Sequence, residues 1–181
     1  MSNNNGNGAP DNSWHVLSVL VENHFGVLAR ISAMFAARSF NIDSLTVGPT
    51  HDPTCSRMTV TVRGETRIVD QIRRQLEKFV EVIRVEDLTE AGPFVARELV
   101  LVKVSITQDS VTELVDLVNS FQPQIVDMTL ESVTLQVVAT PDRVDEFLAL
   151  LESHGLREVA RTGAVALMRG AWGLHQAALA E

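Results

Sequence analysis

The hydrophobic period of this chain alternates between two residues and 3.6 residues in a fixed order, and that order is then run through a second time. Trp14 to Val21 alternates, with Leu17, Val19 and Val21 on one face, as a half-buried strand does. From Val27 the period becomes helical, and Val27, Leu28, Ile31, Met34 and Phe35 form one stripe. A second strand is expected over Ile42 to Val47. Pro49 to Pro53 reads as a loop, because the prolines and Asp52 interrupt any ladder. Met58, Val60 and Val62 mark a third strand ending at Gly64. Thr66 is the expected N-cap of a second helix whose buried face is Ile68, Val69, Ile72, Leu76, Phe79 and Val80. Ile83 and Val85 close a fourth strand.

Ala91-Gly92-Pro93 punctuates the chain, and the order restarts. Leu99 to Ile106 reads as a strand, and Val111, Leu114, Val115 and Val118 as a helical stripe. Strands near 125–130 and 133–138 follow, then a helix on Val144, Phe147, Leu148 and Leu151, and a strand near 156–162. Gly163 to Met168 is placed to add an edge strand. The fold class is therefore α+β: two ferredoxin-like βαββαβ domains, each with helices packed on one face of an antiparallel sheet. The expected divisions are a disordered, Asn/Gly-rich lead-in at 1–13, a first domain at 14–90, a linker at 91–96, a second domain at 97–170 and a flexible tail at 171–181.

Composition narrows the function. The formal net charge is −8 over 181 residues. Residues 1–90 hold 9 basic and 11 acidic side chains, and residues 91–181 hold 6 and 12, so the acidity is concentrated in the second half. This balance argues against nucleic acid as a partner, since phosphate neutralisation needs clustered cations. It argues equally against an anionic membrane surface. No apolar run reaches the roughly 18 residues of a membrane-spanning helix. The lead-in has neither an apolar signal core nor an Arg-rich transit pattern, which makes the cytoplasm the expected compartment. Cys55 is the single cysteine, so neither an internal disulfide nor a thiolate metal cage can form within the chain.

Catalytic signals are weak. His15, His24, His51, His154 and His175 show no metal-ligand spacing, and His15 reads as a structural or edge-exposed histidine within a strand. Cys55 has no recognisable base and orienting group. Gly6-Asn7-Gly8 falls in the lead-in, where it cannot cradle phosphate between a strand and a helix. The pairs Glu86-Asp87 and Asp145-Glu146 read as solvated surface. Arg67, Arg73, Arg74 and Lys78 form an Arg-rich outer face on the second helix, either a partner surface or a solvated face paired locally with Asp70 and Glu77.

One segment carries more information: Glu22-Asn23-His24-Phe25-Gly26-Val27-Leu28-Ala29-Arg30-Ile31, between the first strand and the first helix. The free N–H groups and dipole of a helix start favour an anion such as a carboxylate. Gly26 permits close backbone approach, and Asn23 supplies both donors and an acceptor. On local physics alone a second reading stands beside it: Asn23 caps the helix and Gly26 only turns the chain.

The Glu22-Asn23-x-x-Gly26-Val27-Leu28-x-Arg30-Ile31 pattern resembles the signature of an ACT-type amino-acid-sensing domain. Phe40-Asn41-Ile42-Asp43-Ser44-Leu45-Thr46-Val47-Gly48-Pro49-Thr50, Asp52-Pro53-Thr54 and Ser56-Arg57-Met58-Thr59 narrow it. So do Arg97-Glu98-Leu99-x-Leu101-x-Lys103 and Arg161-Thr162-Gly163. Together, over about residues 14–170, these resemble the small regulatory subunits of acetolactate synthase. The resemblance implies a first domain of ACT type, pairing side by side into a homodimer with valine bound between the copies. By position, Asn23, His24, Phe25, Gly26, Val27 and Leu28 form the carboxylate side of that site, chiefly through backbone N–H groups. Asn41 and Ile42 of the partner face the amino group and side chain, and Val27, Leu28 and Ile42 are the expected apolar lining. For Asn41 the other reading is a turn residue after a helix. The resemblance further implies a chain with no chemistry of its own. It would activate a catalytic subunit carrying thiamine diphosphate, FAD and Mg, and confer valine feedback inhibition in branched-chain amino acid biosynthesis, isoleucine included. An ACT-type transcriptional regulator is the alternative, although no helix-turn-helix pattern is evident. A stand-alone enzyme on the same fold is a further alternative, and it would need a catalytic cluster.

Overall fold

The computed structural model describes residues 13–106, 120–171 and 173. The lead-in apart from Ser13, the expected helix over 111–118 and most of the expected tail lie outside these. Two compact units are built, one from residues up to Val95 together with Ala166 onward, the other from Ala96–Val165.

In the first unit, strands β1 (Trp14–Glu22), β2 (Ser44–Pro49), β3 (Cys55–Arg63) and β4 (Val82–Asp87) form one antiparallel-paired sheet in the order β2-β3-β1-β4. Helices α1 (Val27–Ala37) and α2 (Thr66–Leu76) share its core. Leu17, Val19 and Val21 of β1 meet Met58, Val60 and Val62 of β3 there, under Val27, Ile31, Met34 and Phe35 of α1 and Val69, Ile72 and Leu76 of α2. The alternation thus selects the helix-facing side of β1. The strand is nevertheless buried on both faces, since Val16, Ser18 and Leu20 are inaccessible as well. Part of the reason is a short helix that periodicity could not announce, α3 (Leu88–Ala91). The Asp87 side chain caps α3 by accepting from the Thr89 N–H, and Thr89 Oγ1 in turn accepts from the Val16 N–H at 3.0 Å. His15 is buried between Asp87 (Nδ1 to Oδ2, 2.7 Å) and Ser13 (Nε2 to Oγ, 2.9 Å), the structural one of its two readings.

Several boundaries differ from expectation for identifiable reasons. β2 begins at Ser44, because Ile42 turns inward onto the core. It runs on through Pro49, which an edge strand tolerates because its outer side needs no ladder donor. β3 starts at Cys55, three residues before Met58. Thr66 is the first residue inside α2, and Glu65 stands at the N-cap without a side-chain bond. α2 stops at Leu76, so Phe79 only flanks the core and Val80 is 92% exposed. Ile83 is extruded by a register shift opposite Leu20 and Val21, which leaves Val82 and Val85 on the core side.

The second sheet runs β6 (Gln124–Met128), β7 (Ser132–Ala139), β5 (Phe94–Ser105), β8 (Leu156–Arg161), with β9 (Val165–Met168) pairing β5. Residues read as the end of a linker are therefore already strand from Phe94. Val100, Val102 and Val104 of β5 and Val133, Leu135 and Val137 of β7 pack under Val144, Phe147 and Leu151 of α4 (Pro141–Glu152). No helix among the described residues is long and apolar enough to cross a membrane.

Candidate functional site

The β1–α1 turn is held from behind by backbone. The Asn23 N–H donates to the Thr54 carbonyl at 2.7 Å, and the Asn23 Nδ2 donates to the Pro53 carbonyl at 2.9 Å. Asn23 is therefore not the cap of α1: it clips the turn to the β2–β3 loop. Asp52-Pro53-Thr54 carries part of the family resemblance, but the role of Pro53 and Thr54 in holding Asn23 was not assigned from sequence. Gly26 takes the N-cap position with φ 90° and ψ −11°, a left-handed conformation that excludes most side chains, and no side chain caps the helix. Its carbonyl accepts the first intrahelical bond, from the Arg30 N–H at 3.1 Å. The N–H groups of Val27, Leu28 and Ala29 thus precede the helical ladder and point out of its start, where the dipole favours a negative group.

The side chains around this start divide cleanly. Val27 is buried in the core, so only its backbone is offered to a ligand, a correction to its expected lining role. Leu28, on the opposite side of the turn of helix, is 44% exposed, and Phe25 is fully exposed. The imidazole of His24 lies 2.8 Å from Glu22 Oε2, an exposed pair that settles beside the turn. An ATP-type phosphate loop is not formed here, but a single carboxylate matches three outward N–H groups in both charge and size.

Asn41 and Ile42 are not near these residues. Ser44 of β2 is level with Thr61 of β3, which is level with Val16 of β1. Glu22 lies six residues further along β1, so about 20 Å separates the start of β2 from the β1–α1 turn. Asn41 is exposed beyond that start, its Nδ2 donating to Asp43 Oδ1 at 3.1 Å, and Asp43 is paired with Arg63. Ile42 packs on the core, so its side chain, like that of Val27, is turned away from any lining position. Within one chain the two halves of the expected site stand at opposite ends of the sheet.

In the second unit, the two remaining motifs prove to be one construction. Glu98, on β5, is buried, and both its oxygens accept from Arg161 of β8, from Nε and Nη2, each at 2.8 Å. Arg161 Nη1 also donates to Asp145 at 2.7 Å. These hydrogen bonds, with Glu98 first, raise the guanidinium pKa above its ordinary value despite some desolvation. The next residues continue the junction: the Leu99 N–H donates to Thr162 Oγ1, and the Thr162 N–H to the Leu99 carbonyl. This is a structural clamp between strands. Among the described residues no group of three His, Cys, Asp or Glu is placed to hold a metal ion.

Comparison with known proteins agrees with the motifs. A family model described as the small subunit of acetolactate synthase matches residues 97–170, and one described as an AHAS small subunit-like ACT domain matches residues 17–84. The chain is 44% identical over 156 residues to a protein of Archaeoglobus fulgidus named as a probable acetolactate synthase small subunit, covering 86% of this chain and 97% of that one. It is 45% identical over 156 residues to the acetolactate synthase small subunit of Haemophilus influenzae, covering 86% and 95%. Among solved structures, the acetolactate synthase small subunit of Thermotoga maritima superimposes with a TM-score of 0.79 at 36% identity, covering 88% of this chain and 99% of that chain.

Proposed function

Since the chain belongs to the family of acetolactate synthase small subunits, we propose that it is the regulatory half of that enzyme, binding valine across a homodimer of its first domain. The reading is carried by the separation of Asn23–Leu28 from Asn41 by about the length of the sheet. β2 is an edge strand, paired on one side only among the described residues. A twofold axis beside it sets two β2 strands antiparallel, so the start of one meets the end of the other. Pro49, at the end of β2, is level with Ser56 and hence with Val21, the residue before Glu22. Asn41 of one chain is thereby brought to the β1–α1 turn of its neighbour. The valine carboxylate is held by the N–H groups of Val27, Leu28 and Ala29. The partner's Asn41 side chain accepts from the ammonium, and Leu28 offers apolar surface to the isopropyl group.

In this reading the chain does no chemistry. It docks on a catalytic subunit, in the cytoplasm, that holds thiamine diphosphate, FAD and Mg and condenses two 2-oxo acids; none of this chain's donor groups is assigned to those cofactors. Docking raises activity by favouring one arrangement of the catalytic subunit, and valine favours another. It can do so only because its affinity differs between the two. A site shared by two chains supplies that difference, since any shift at the β2 edge changes one half of the contacts and leaves the other.

Calorimetric titration of the purified chain with valine, with alanine and leucine for comparison, is the first test. Saturable binding at one site per chain, lost in Asn41→Ala and in Gly26→Asp while both variants still activate the catalytic subunit, is the expected result. Unchanged valine sensitivity in both variants would refute the site.

A further inference from the structure

The structure separates the cations on the outer side of α2 into two kinds. Arg73 is fully engaged, 2.7 Å from Glu77 and 3.4 Å from Asp70. It lines, with those two acids, a groove of about 670 Å³ between α2 and β4, where Glu86 and Glu90 add further negative charge. Arg67, Arg74 and Lys78 are different. By helical spacing Arg67 and Arg74 fall opposite the buried Val69, Ile72 and Leu76, and Lys78 follows in the turn just past the end of α2. Among the described residues no carboxylate lies within ion-pair distance of any of the three, and all are exposed. Arg38, at the end of α1, is likewise without an acid; its guanidinium donates to the Gln75 amide oxygen at 2.9 Å. Arg38, Gln75 and Lys78 line a second groove of about 430 Å³ together with Arg30, which is paired with Glu81, and with the apolar Met34 and Phe79. In a chain of net charge −8, this is a concentration of uncompensated positive charge beside apolar side chains.

Like charges on one face repel modestly, and an acidic occupant relieves that repulsion. The extent of the strip decides the class of occupant. Arg67 and Arg74 are two helical turns apart, about 10 Å along the axis, and Lys78 follows just past the helix end. That is longer than one phosphate, and only Arg67, the second residue of α2, stands at a helix start. Val80, 92% exposed just beyond Lys78, adds an apolar contact at one end. An apolar centre within a charged rim is how a protein partner is met.

We propose that the α1–α2 groove and the Arg67–Lys78 strip dock an acidic surface of the catalytic subunit. The proposal rests on the reading that this chain binds such a subunit, and it places the contact on the helix layer, away from the β2 edge assigned to dimerisation. Attraction of this sort steers association and is screened by salt.

The test is activation of the catalytic subunit by the full chain carrying Arg74→Glu and Lys78→Glu, titrated at low and high salt, with Arg73→Glu as the comparison. The expected result is an apparent Kd for the catalytic subunit raised about tenfold in the double variant at low salt, a difference that shrinks as salt is added. Valine binding to the free chain and its dimer mass should be unchanged, which also verifies folding, and Arg73→Glu should have the smaller effect. An unaltered activation curve in the double variant would overturn the docking surface while leaving the regulatory reading in place. Failure of the wild-type chain to activate would instead overturn that reading. A changed oligomeric mass in the double variant would assign the strip to a second copy of this chain. Loss of thermal stabilisation by inorganic phosphate with activation intact would assign it to a small anion. Either would refute the proposal.

Discussion

Replacing Arg161 by Ala strands a carboxylate, and the size of the effect can be worked from the clamp itself. Glu98 is 4% exposed and receives two hydrogen bonds from the guanidinium, so the variant leaves both oxygens buried without a cation. Breaking a buried pair from one side costs about 3–5 kcal/mol. Arg161 is itself 37% exposed, so water reaches one side of the vacated space, and we expect about 2–3 kcal/mol instead. Asp145 is 58% exposed on the same guanidinium, and Asp145→Asn should cost no more than about 1 kcal/mol. Joint replacement, Glu98→Leu with Arg161→Leu, removes the charge together with its partner and should be milder than Arg161→Ala alone. The readout is hydrogen exchange of peptides covering β5 and β8, because Trp14 reports on the first unit. A loss of about 2 kcal/mol raises the population of the open state about thirtyfold, and exchange by the same factor. If the joint variant exchanged as fast as Arg161→Ala, a stranded charge would not be the cause, and the reasoning would fail.

Three further outcomes follow from the first unit. A Cβ at Gly26 would meet nothing within 4 Å, so Gly26→Ala should cost only left-handed backbone strain, about 1–2 kcal/mol in a thermal melt of the full chain. A much larger loss would mean that the turn is packed more tightly than it is drawn. Asn23→Ala deletes the bond to Pro53 and should cost about 1 kcal/mol, with faster exchange confined to the turn and the 50–55 loop. Asp87→Asn disturbs both the His15 contact and the cap of α3, and should cost about 1–3 kcal/mol in urea unfolding followed by circular dichroism. A neutral result would show that His15 needs no carboxylate.

Much of this was legible because periodicity is a property of consecutive residues. The alternation of Leu17, Val19 and Val21 and the helical spacing of Ile31, Met34 and Phe35 are local signals, and the core uses them as written. What failed was decided by neighbours in space. Val80 continues the α2 stripe in register, yet the helix ends four residues earlier; Ile83 alternates properly, yet a bulge turns it out. α3 is one turn long, too short for any period to register. The β1–α1 turn was readable from Glu22-Asn23-x-x-Gly26, but its rear support by Pro53 and Thr54 depends on a contact across some thirty residues. Val27 and Ile42 look like lining in a motif and are core in the fold, because amphipathic position, not motif membership, decides which way a side chain points. Glu98 and Arg161, quoted as separate motifs, meet because β5 and β8 pair; Asp145-Glu146 is surface as expected, whereas Asp87 of Glu86-Asp87, read the same way, is 10% exposed against His15.

If valine is bound as proposed, the distance between Asn41 and the β1–α1 turn has a consequence for the cell's accounting of its own protein. A pocket completed by a second chain exists only in the fraction of chains that are paired, so its abundance rises with the square of expression when the chain is scarce and linearly when it is plentiful. Valine, binding only the pair, would itself draw chains together. A cell making too little of this subunit would then lose its response to valine before it lost the subunit's other contacts, and a mutation far from the turn that loosens the β2 edge would resemble, in growth on valine, a mutation in the pocket.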